Sequence, residues 1–505
     1  MVLLLLLYFY DKIFKYINNL YGDIMKLSGK IALASGFIFD YRNMINTDTI
    51  TPAVIETLES KAKDAADALL LIREQGMAKA HLSKDGTPEH VLFTKLPFVK
   101  NGNPNTPESI AKLKQFGSYL QQEIDAVVFL GIGGSYLGNK VLFDIFAGSG
   151  WNVGCEKSRH GYPRVYFSGN NLDVDQYSEV VDEVEYLATH RLGKNEQFRV
   201  LLVPISKSGT TLETLAAFSY FYEQCQKSSL LQMEVAVVTD LDEDISPLYN
   251  LAKENVWQCF DIKEGIGGRF CIFSDPGLIT AAAIGMDIDA FLCGARDMEN
   301  ACQSASLGEN PALLNAVLKY AAAEKGVDIE VFMPYAAKMK SVGEWYVQLL
   351  AESLGKRKDR EGNVVYYGRT PVSAVGSTDM HAQTQQHQDG KKDKVIQFVE
   401  ILEREQQIVL NNPFTHISSL KKYDGLSVDH ALKIALAANE EALNSDGRLN
   451  AKYILPRIDE YYLGQLLYFL MLSVAYEGEL ADVDAYDQPG VETYKQIMKQ
   501  KMSHQ

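Results

Sequence analysis

A chain of 505 residues, 47% hydrophobic and 23% charged, can bury substantial cores and is too long for one ordinary domain, so two α/β domains are expected. Its formal net charge of −16 speaks against nucleic acid as the main partner, because phosphate backbones are bound through basic surfaces. Any basic site for an anionic ligand must therefore be local.

The chain opens on Met1-Val2-Leu3 through Leu7 and then Tyr8-Phe9-Tyr10, an apolar run too short to span a bilayer before Asp11 and Lys12 intervene. It has no basic n-region and no small-residue cleavage site, which argues against a secretory signal. An extended start upstream of Met25, a helix packed on the body, and a helix pairing with another subunit are the readings left open. The six cysteines, Cys155, Cys225, Cys259, Cys271, Cys293 and Cys302, contain no CxxC pair, and no histidine cluster stands at zinc-ligand spacing. Free thiols in a reducing cytosol are expected.

From about 50 to 122 the sequence reads as helical, with Ile55, Leu58, Ala62, Ala65, Ala66, Leu69 and Leu70 at helical spacing. Short apolar runs then alternate with helical stretches, at 126–130, 164–167, 200–205, 235–238 and 256–260. This is the pattern of a doubly wound parallel sheet. A helical stretch from 276 to about 320 precedes further strand-like runs at 329–333 and 395–399, which predict a second, less regular α/β unit. The end, 429–505, is again helical in periodicity, broken by Tyr486-Asp487-Gln488-Pro489-Gly490-Val491.

The most informative segment is Ser206-Lys207-Ser208-Gly209-Thr210-Thr211-Leu212-Glu213-Thr214, after a strand and opening a helix. Thr210 and Glu213 have capping-box spacing. A helix N-terminus with free N–H groups, surrounded by hydroxyls and one lysine, suits a phosphate; a well-capped strand-to-helix turn is the plainer account. Gly131-Ile132-Gly133-Gly134-Ser135-Tyr136-Leu137-Gly138 also follows a strand, yet it is neither a dinucleotide fingerprint, since Tyr136 stands where the third glycine belongs, nor a P-loop. Its glycines would admit a ligand or merely a close helix packing.

Gly265-Ile266-Gly267-Gly268-Arg269-Phe270 places an arginine in a glycine-rich stretch, where it either reaches an oxyanion or lies solvated on the surface. Downstream, helical spacing puts Trp345, Leu349 and Glu352 on one face with Gln348 beside them and Gly355 as the stop. A carboxylate facing a partly buried surface suits a general base; a glutamate at a frayed helix end is the alternative. His381, after Gly376-Ser377-Thr378-Asp379-Met380, is a candidate for proton transfer, with His387 six residues on.

Taken in order from about 125 to 495, these segments resemble the glucose-6-phosphate isomerase family, and around His381 its bacterial branch. Gly267-Gly268-Arg269-Phe270 is similar to one family signature, and Asp487-Gln488-Pro489-Gly490-Val491-Glu492-Thr493-Tyr494-Lys495 to the other, which is long and specific. The resemblance implies two doubly wound, sugar-isomerase-type α/β domains: a helical segment over 1–122, a first phosphate-binding domain over 123–296, and a second domain with a C-terminal helical segment over 297–505. It implies that Ser206, Lys207, Ser208 and Thr211 bind the substrate phosphate, that Gly134 and Ser135 line the sugar, and that Gln348 and Gln488 contact it. Glu352 matches the catalytic base; Arg269, His381 and Lys495 match the groups that open the ring and stabilise the intermediate. No metal or cofactor is implied, and the expected setting is a cytoplasmic homodimer, away from membranes, with the histidine supplied across the interface.

There are departures from the family pattern. Cys271 stands where serine is usual, Ser274-Asp275-Pro276 replaces small and apolar residues, and Leu349-Leu350-Ala351 differs before Glu352. The expected activity is reversible conversion of glucose 6-phosphate and fructose 6-phosphate, in glycolysis and gluconeogenesis, through a cis-enediolate. An isomerase for a related phosphosugar and a phosphosugar-binding regulator without catalysis are the rival readings. The regulator would have no use for a base on an apolar helix face.

Overall fold

The computed structural model describes residues 28–83 and 86–502. The apolar start at 1–10 lies outside them.

Two sheets organise the molecule. The first has five parallel strands in the order Arg164–Ser168, Ala126–Leu130, Phe198–Pro204, Leu231–Thr239, Gln258–Asp261. Every residue of Ala126–Leu130 is buried, which is why its sequence is an unbroken apolar run with no polar face. The chain leaves this strand toward one side of the sheet and returns on its other side at Phe198–Pro204, so the two strands flank a topological switch point. Ligands of open α/β sheets bind at the carboxyl ends of such strands.

The second sheet runs Lys30–Ala32, Ile38–Asp40, Asn450–Leu455, Lys394–Ile401, Ile329–Pro334, Thr370–Ser373. Its last four strands are parallel, as the expected α/β unit requires, but Ile38–Asp40 adds antiparallel to Asn450–Leu455 and Lys30–Ala32 antiparallel to Ile38–Asp40. The N-terminal segment is therefore not purely helical. Besides Pro52–Thr57, Glu59–Gln75 and Pro107–Glu123 it contains a hairpin, Met77–Leu82 with Pro88–His90, because Gly76 adopts φ 69 and ends the preceding helix. The strand Asn450–Leu455 also escaped the sequence reading. Lys452 interrupts its apolar pattern and is accommodated by Glu400 and Glu440, at 3.4 and 2.7 Å.

Glu460–Leu480 is buried on all sides and packs on Ile288–Ala301 and Pro311–Ala323. The crossing with Ile288–Ala301 is close: a Cβ on Gly294 would collide with the Tyr461 carbonyl, and one on Gly464 with that of Phe291. Glu477 on this helix is neutralised by Arg369, which also pairs with Glu330 at 2.9 Å, itself held by Lys319. Two buried cations thus face two buried anions, and breaking one partner would strand a charge in the core.

Helix Lys340–Leu354 links the halves. It packs against its own sheet at Ile329–Pro334 and Thr370–Ser373, and also against Gly134–Leu142 and the 3-10 turn Gly268–Phe273. No helix among the described residues is long and apolar enough to cross a membrane.

Candidate active site

Both turns singled out in the sequence leave the switch point. The first carries the chain from Leu130 into helix Gly134–Leu142 through Gly133, at φ 60 and ψ −126, a conformation open to glycine. A Cβ on Gly134 would collide with the Gly268 carbonyl, so the absence of a side chain lets the turn touch the segment that carries Arg269. Ser135 is partly exposed and its carbonyl is held by Asn139 Nδ2 at 2.8 Å.

The second turn leads from Phe198–Pro204 into helix Leu212–Lys227. Its N-cap is Thr211 and not Thr210, and no side chain caps the helix. The capping box expected from Thr210 and Glu213 is absent because the Thr211 hydroxyl bonds Ser206 Oγ at 2.8 Å, while Thr210 bonds Ser208 Oγ at 3.0 Å. Hydroxyls therefore gather at an uncapped, positively polarised helix end. Thr239 Oγ1 donates to the Ser206 carbonyl at 2.7 Å and Ser246 Oγ lies 2.6 Å from Thr239, which makes the floor of the turn rigid. Lys207 and Ser208 are exposed at its rim.

Arg269 is the centre of the arrangement. The surface arginine that its glycine-rich surroundings allowed is not found: the residue is 3% exposed, in the 3-10 turn Gly268–Phe273. Nε donates to Ser353 Oγ at 3.0 Å; Nη1 donates to Glu352 Oε2 at 3.2 Å and Gln488 Oε1 at 3.0 Å; Nη2 donates to the carbonyls of Ala485 at 2.9 Å and Asp487 at 3.0 Å. All five guanidinium donors are engaged. Burial lowers its pKa from the ordinary value while Glu352 opposes the change, and an arginine stays cationic at neutral pH through such a shift. The adjacent Cys271 thiol is pushed up to about 12 by burial and so remains neutral, its Sγ 3.5 Å from the Gly134 carbonyl.

Glu352 lies in the last turn of helix Lys340–Leu354, which ends at Gly355 as its spacing predicts. Trp345 and Leu349 are buried, and the Glu352 side chain is 29% exposed, so its carboxylate sits at the edge of the packed face. Gln348 Nε2 lies 3.4 Å from Glu352 Oε1, and Gly133 is close enough that a Cβ there would come within 3.1 Å of the same amide. The Gln348 carbonyl oxygen is buried without a partner among the described residues. Glu352, Gln348, Arg269, Gln488 and the glycine turn therefore converge.

Among the described residues, His381 and Lys495 make no hydrogen bond or ion pair with these groups. His381 is exposed just after the turn Thr378–Met380, and its ring makes no hydrogen bond among the described residues. Lys495 is exposed on helix Glu492–Met502, none of whose residues is buried, with Nζ 3.7 Å from Glu492 Oε1. His387 is 1% exposed, and its pKa is lowered to about 4 by burial, with Lys394 and Arg448 adding to the effect. It is a neutral core group.

Sequence reasoning missed the supports of the site: Ser353, Lys356, and the main chain of Ala485 and Asp487. Only Lys356 left a trace, as a lysine directly after the stop of the Glu352 helix. Among the described residues no group of three or more His, Cys, Asp and Glu is arranged to hold a metal ion, and all six cysteines are free.

A family model described as phosphoglucose isomerase matches residues 108–505. The chain is 34% identical to a glucose-6-phosphate isomerase of Carboxydothermus hydrogenoformans over 403 residues, 80% of this chain and 83% of that protein. It is 32% identical to a glucose-6-phosphate isomerase of Methanocaldococcus jannaschii, covering 77% of this chain and 86% of that one. A solved glucose-6-phosphate isomerase from Chlamydia trachomatis shares the fold, with a TM-score of 0.75 over 96% of this chain and 92% of that one at 22% identity.

Proposed function

The chain belongs to the phosphoglucose isomerase family, and from that premise we propose that it is an aldose-ketose isomerase interconverting glucose 6-phosphate and fructose 6-phosphate. The observation that carries this reading is the convergence of a half-buried carboxylate, Glu352, with a fully engaged buried arginine, Arg269, beside the side-chain amides of Gln348 and Gln488. A protein that only bound a phosphosugar would need the phosphate turn and no base.

In the proposed reaction the first domain, 123–296, takes the phosphate on Ser206, Lys207, Ser208 and Thr211. Binding energy at this remote group then positions the sugar, lined by Gly134 and Ser135 and contacted by Gln348 and Gln488. His381, helped by Lys495, transfers the proton that opens the ring. Glu352 removes the proton from C2 and returns it at C1, so one base serves both carbons. The cis-enediolate formed between these steps places its negative charge beside Arg269, whose positive charge, held in place by its five acceptors, stabilises it electrostatically.

His381 is exposed and makes no hydrogen bond to the Glu352 cluster among the described residues, which supports a homodimer in which the partner subunit's His381 completes the site. Lys495, exposed seven residues after Gln488, is the group proposed to help it. A cytoplasmic place in glycolysis and gluconeogenesis fits the six free thiols.

The test is a coupled assay of fructose 6-phosphate conversion by the purified protein, run beside Glu352→Gln. Turnover by the parent and its loss in the variant, with phosphosugar binding kept, support the reading. A folded parent that binds fructose 6-phosphate and never converts it would establish the regulator in its place.

A further inference from the structure

The five acceptors around Arg269 are not equally well anchored. Ser353 and Glu352 belong to helix Lys340–Leu354, which is packed into the body, but the other three acceptors belong to the segment 485–488. That segment is secured at its start. His81 Nδ1 lies 2.9 Å from Asp484 Oδ2, the Tyr486 amide donates to Asp484 Oδ1 at 2.9 Å, and the Tyr486 ring packs near Phe93 and Phe270. Past Tyr486 this support stops. Residues 488–490 are exposed, and the helix that follows buries none of its residues.

Beyond that point one side chain other than Arg269 hydrogen-bonds residues 487 and 488 among the described residues. Lys356, 5% exposed, donates from Nζ to the Asp487 carbonyl at 2.6 Å and to Asp487 Oδ1 at 2.5 Å. The same carbonyl accepts from Arg269 Nη2 at 3.0 Å. Two buried cations share one oxygen, and moving either one moves the other's acceptor. Lys356 itself has little freedom, because it begins the strand Lys356–Lys358, where it pairs with Tyr367, and it follows the helix end that holds Glu352. Burial lowers its pKa and the Asp487 carboxylate opposes this, as expected of an ammonium kept by its partner and not by solvent.

We infer that Lys356 is a positioning residue for the isomerisation: its ammonium holds the Asp487 peptide, and through it Gln488, so that Arg269 stays aligned on Glu352. The inference rests on the roles of Glu352 and Arg269 proposed above. Lys356 touches no reacting atom. Its effect is on the transition state, because an arginine whose cradle drifts loses the preorganised placement that stabilises developing charge, while the phosphate turn at 206–211 is built on other elements.

The experiment compares the full-length parent with Lys356→Met and Asp487→Asn. Asp487 is 38% exposed, so its carboxylate can turn to water once the lysine is gone and the variant need not strand a buried charge. Two quantities are read: kinetics on fructose 6-phosphate, and calorimetric titration with a phosphorylated sugar acid whose planar carboxylate mimics the enediolate. For Lys356→Met, kcat falls on the order of ten- to hundredfold, and analogue affinity falls by the same factor, while KM stays within about threefold and binding stoichiometry is unchanged. Asp487→Asn falls less, because the main-chain carbonyl remains.

A Lys356→Met variant within about twofold of the parent in kcat and analogue affinity overturns the inference. So does a loss of kcat matched by a loss of binding stoichiometry, which marks a merely structural role. A parent without turnover would instead sink the isomerase reading, and is told apart because the parent itself fails.

Discussion

Arg269 donates from Nη1 to Glu352 Oε2 at 3.2 Å, pairing a side chain that is 3% exposed with one that is 29% exposed. The cation is enclosed and the carboxylate is open on one side. That asymmetry suits proton abstraction, since the base must meet a C–H bond while the group that receives negative charge works best away from water. It also means that each of the two can be removed with a distinguishable effect.

Replacing Glu352 with Gln keeps an oxygen for Arg269 to bond and removes the base. The expected result is a fall in kcat of about 10²–10⁴-fold, the usual contribution of general base catalysis, with fructose 6-phosphate binding retained by calorimetry. Activity within a few fold of the parent would remove Glu352 from the mechanism.

Thr211→Val deletes the hydroxyl bonded to Ser206 Oγ at 2.8 Å and leaves the helix N-terminus in place. Because that hydroxyl belongs to the turn proposed to take the phosphate, KM for fructose 6-phosphate should rise about tenfold, the equivalent of one lost hydrogen bond of roughly 1.4 kcal/mol. Inhibition by inorganic phosphate should weaken in parallel. An unchanged KM would assign the phosphate elsewhere.

Arg269→Lys preserves charge and still fails, because three ammonium donors cannot serve five acceptors arranged for a planar fork. Thermal unfolding should report a loss of about 1–3 kcal/mol from acceptors left unpaired in a buried site. Kinetics should report a fall in kcat of roughly 10²-fold or more, the size expected when a preorganised donor is lost. A lysine variant with parental kcat would show that charge alone suffices.

His387 makes the fold sensitive to acid. Its pKa is about 4 in the folded chain against 6.5 for an ordinary histidine, through burial first and then the nearby cations Lys394 and Arg448. The folded value is depressed, so its contribution to stability is present above pH 6.5 and is lost as pH falls toward 4, on the order of 3 kcal/mol in total. Denaturant titrations between pH 7 and 4 should show this slope in the parent, and His387→Leu should flatten it. An unaltered slope would mean that the ring titrates alike in the folded and unfolded chain.

Much of the parallel-sheet architecture was legible in the sequence. Parallel strands announced themselves because burial on both faces demands unbroken apolar runs, as in Ala126-Val127-Val128-Phe129-Leu130. Glu352 could be placed on an apolar helix face from the spacing of Trp345 and Leu349, and the hydroxyl-rich turn from 206 to 211 could be placed between a strand and a helix start. The hairpin at 77–90 was illegible because its short strands carry polar residues such as Lys79, His81 and Glu89, and the strand at 450–455 because it takes its stability from neighbours distant in sequence. Asn450–Leu455, for instance, depends on Ile38–Asp40 for one edge.

What the tertiary structure alone decided is where charge goes. Nothing local distinguishes a solvated arginine after four glycine-rich positions from one enclosed by five acceptors, because those acceptors come from Glu352 and Ser353 and from Ala485, Asp487 and Gln488, far along the chain. The same holds for His387, whose neutrality is set by burial and by Lys394 and Arg448, and for Thr211, whose hydroxyl turned to Ser206 and left the helix end uncapped. Residue type and periodicity depend on local backbone geometry and can be read in one dimension. Electrostatic environment is summed over everything within a few ångströms, and that sum exists only once the chain has folded.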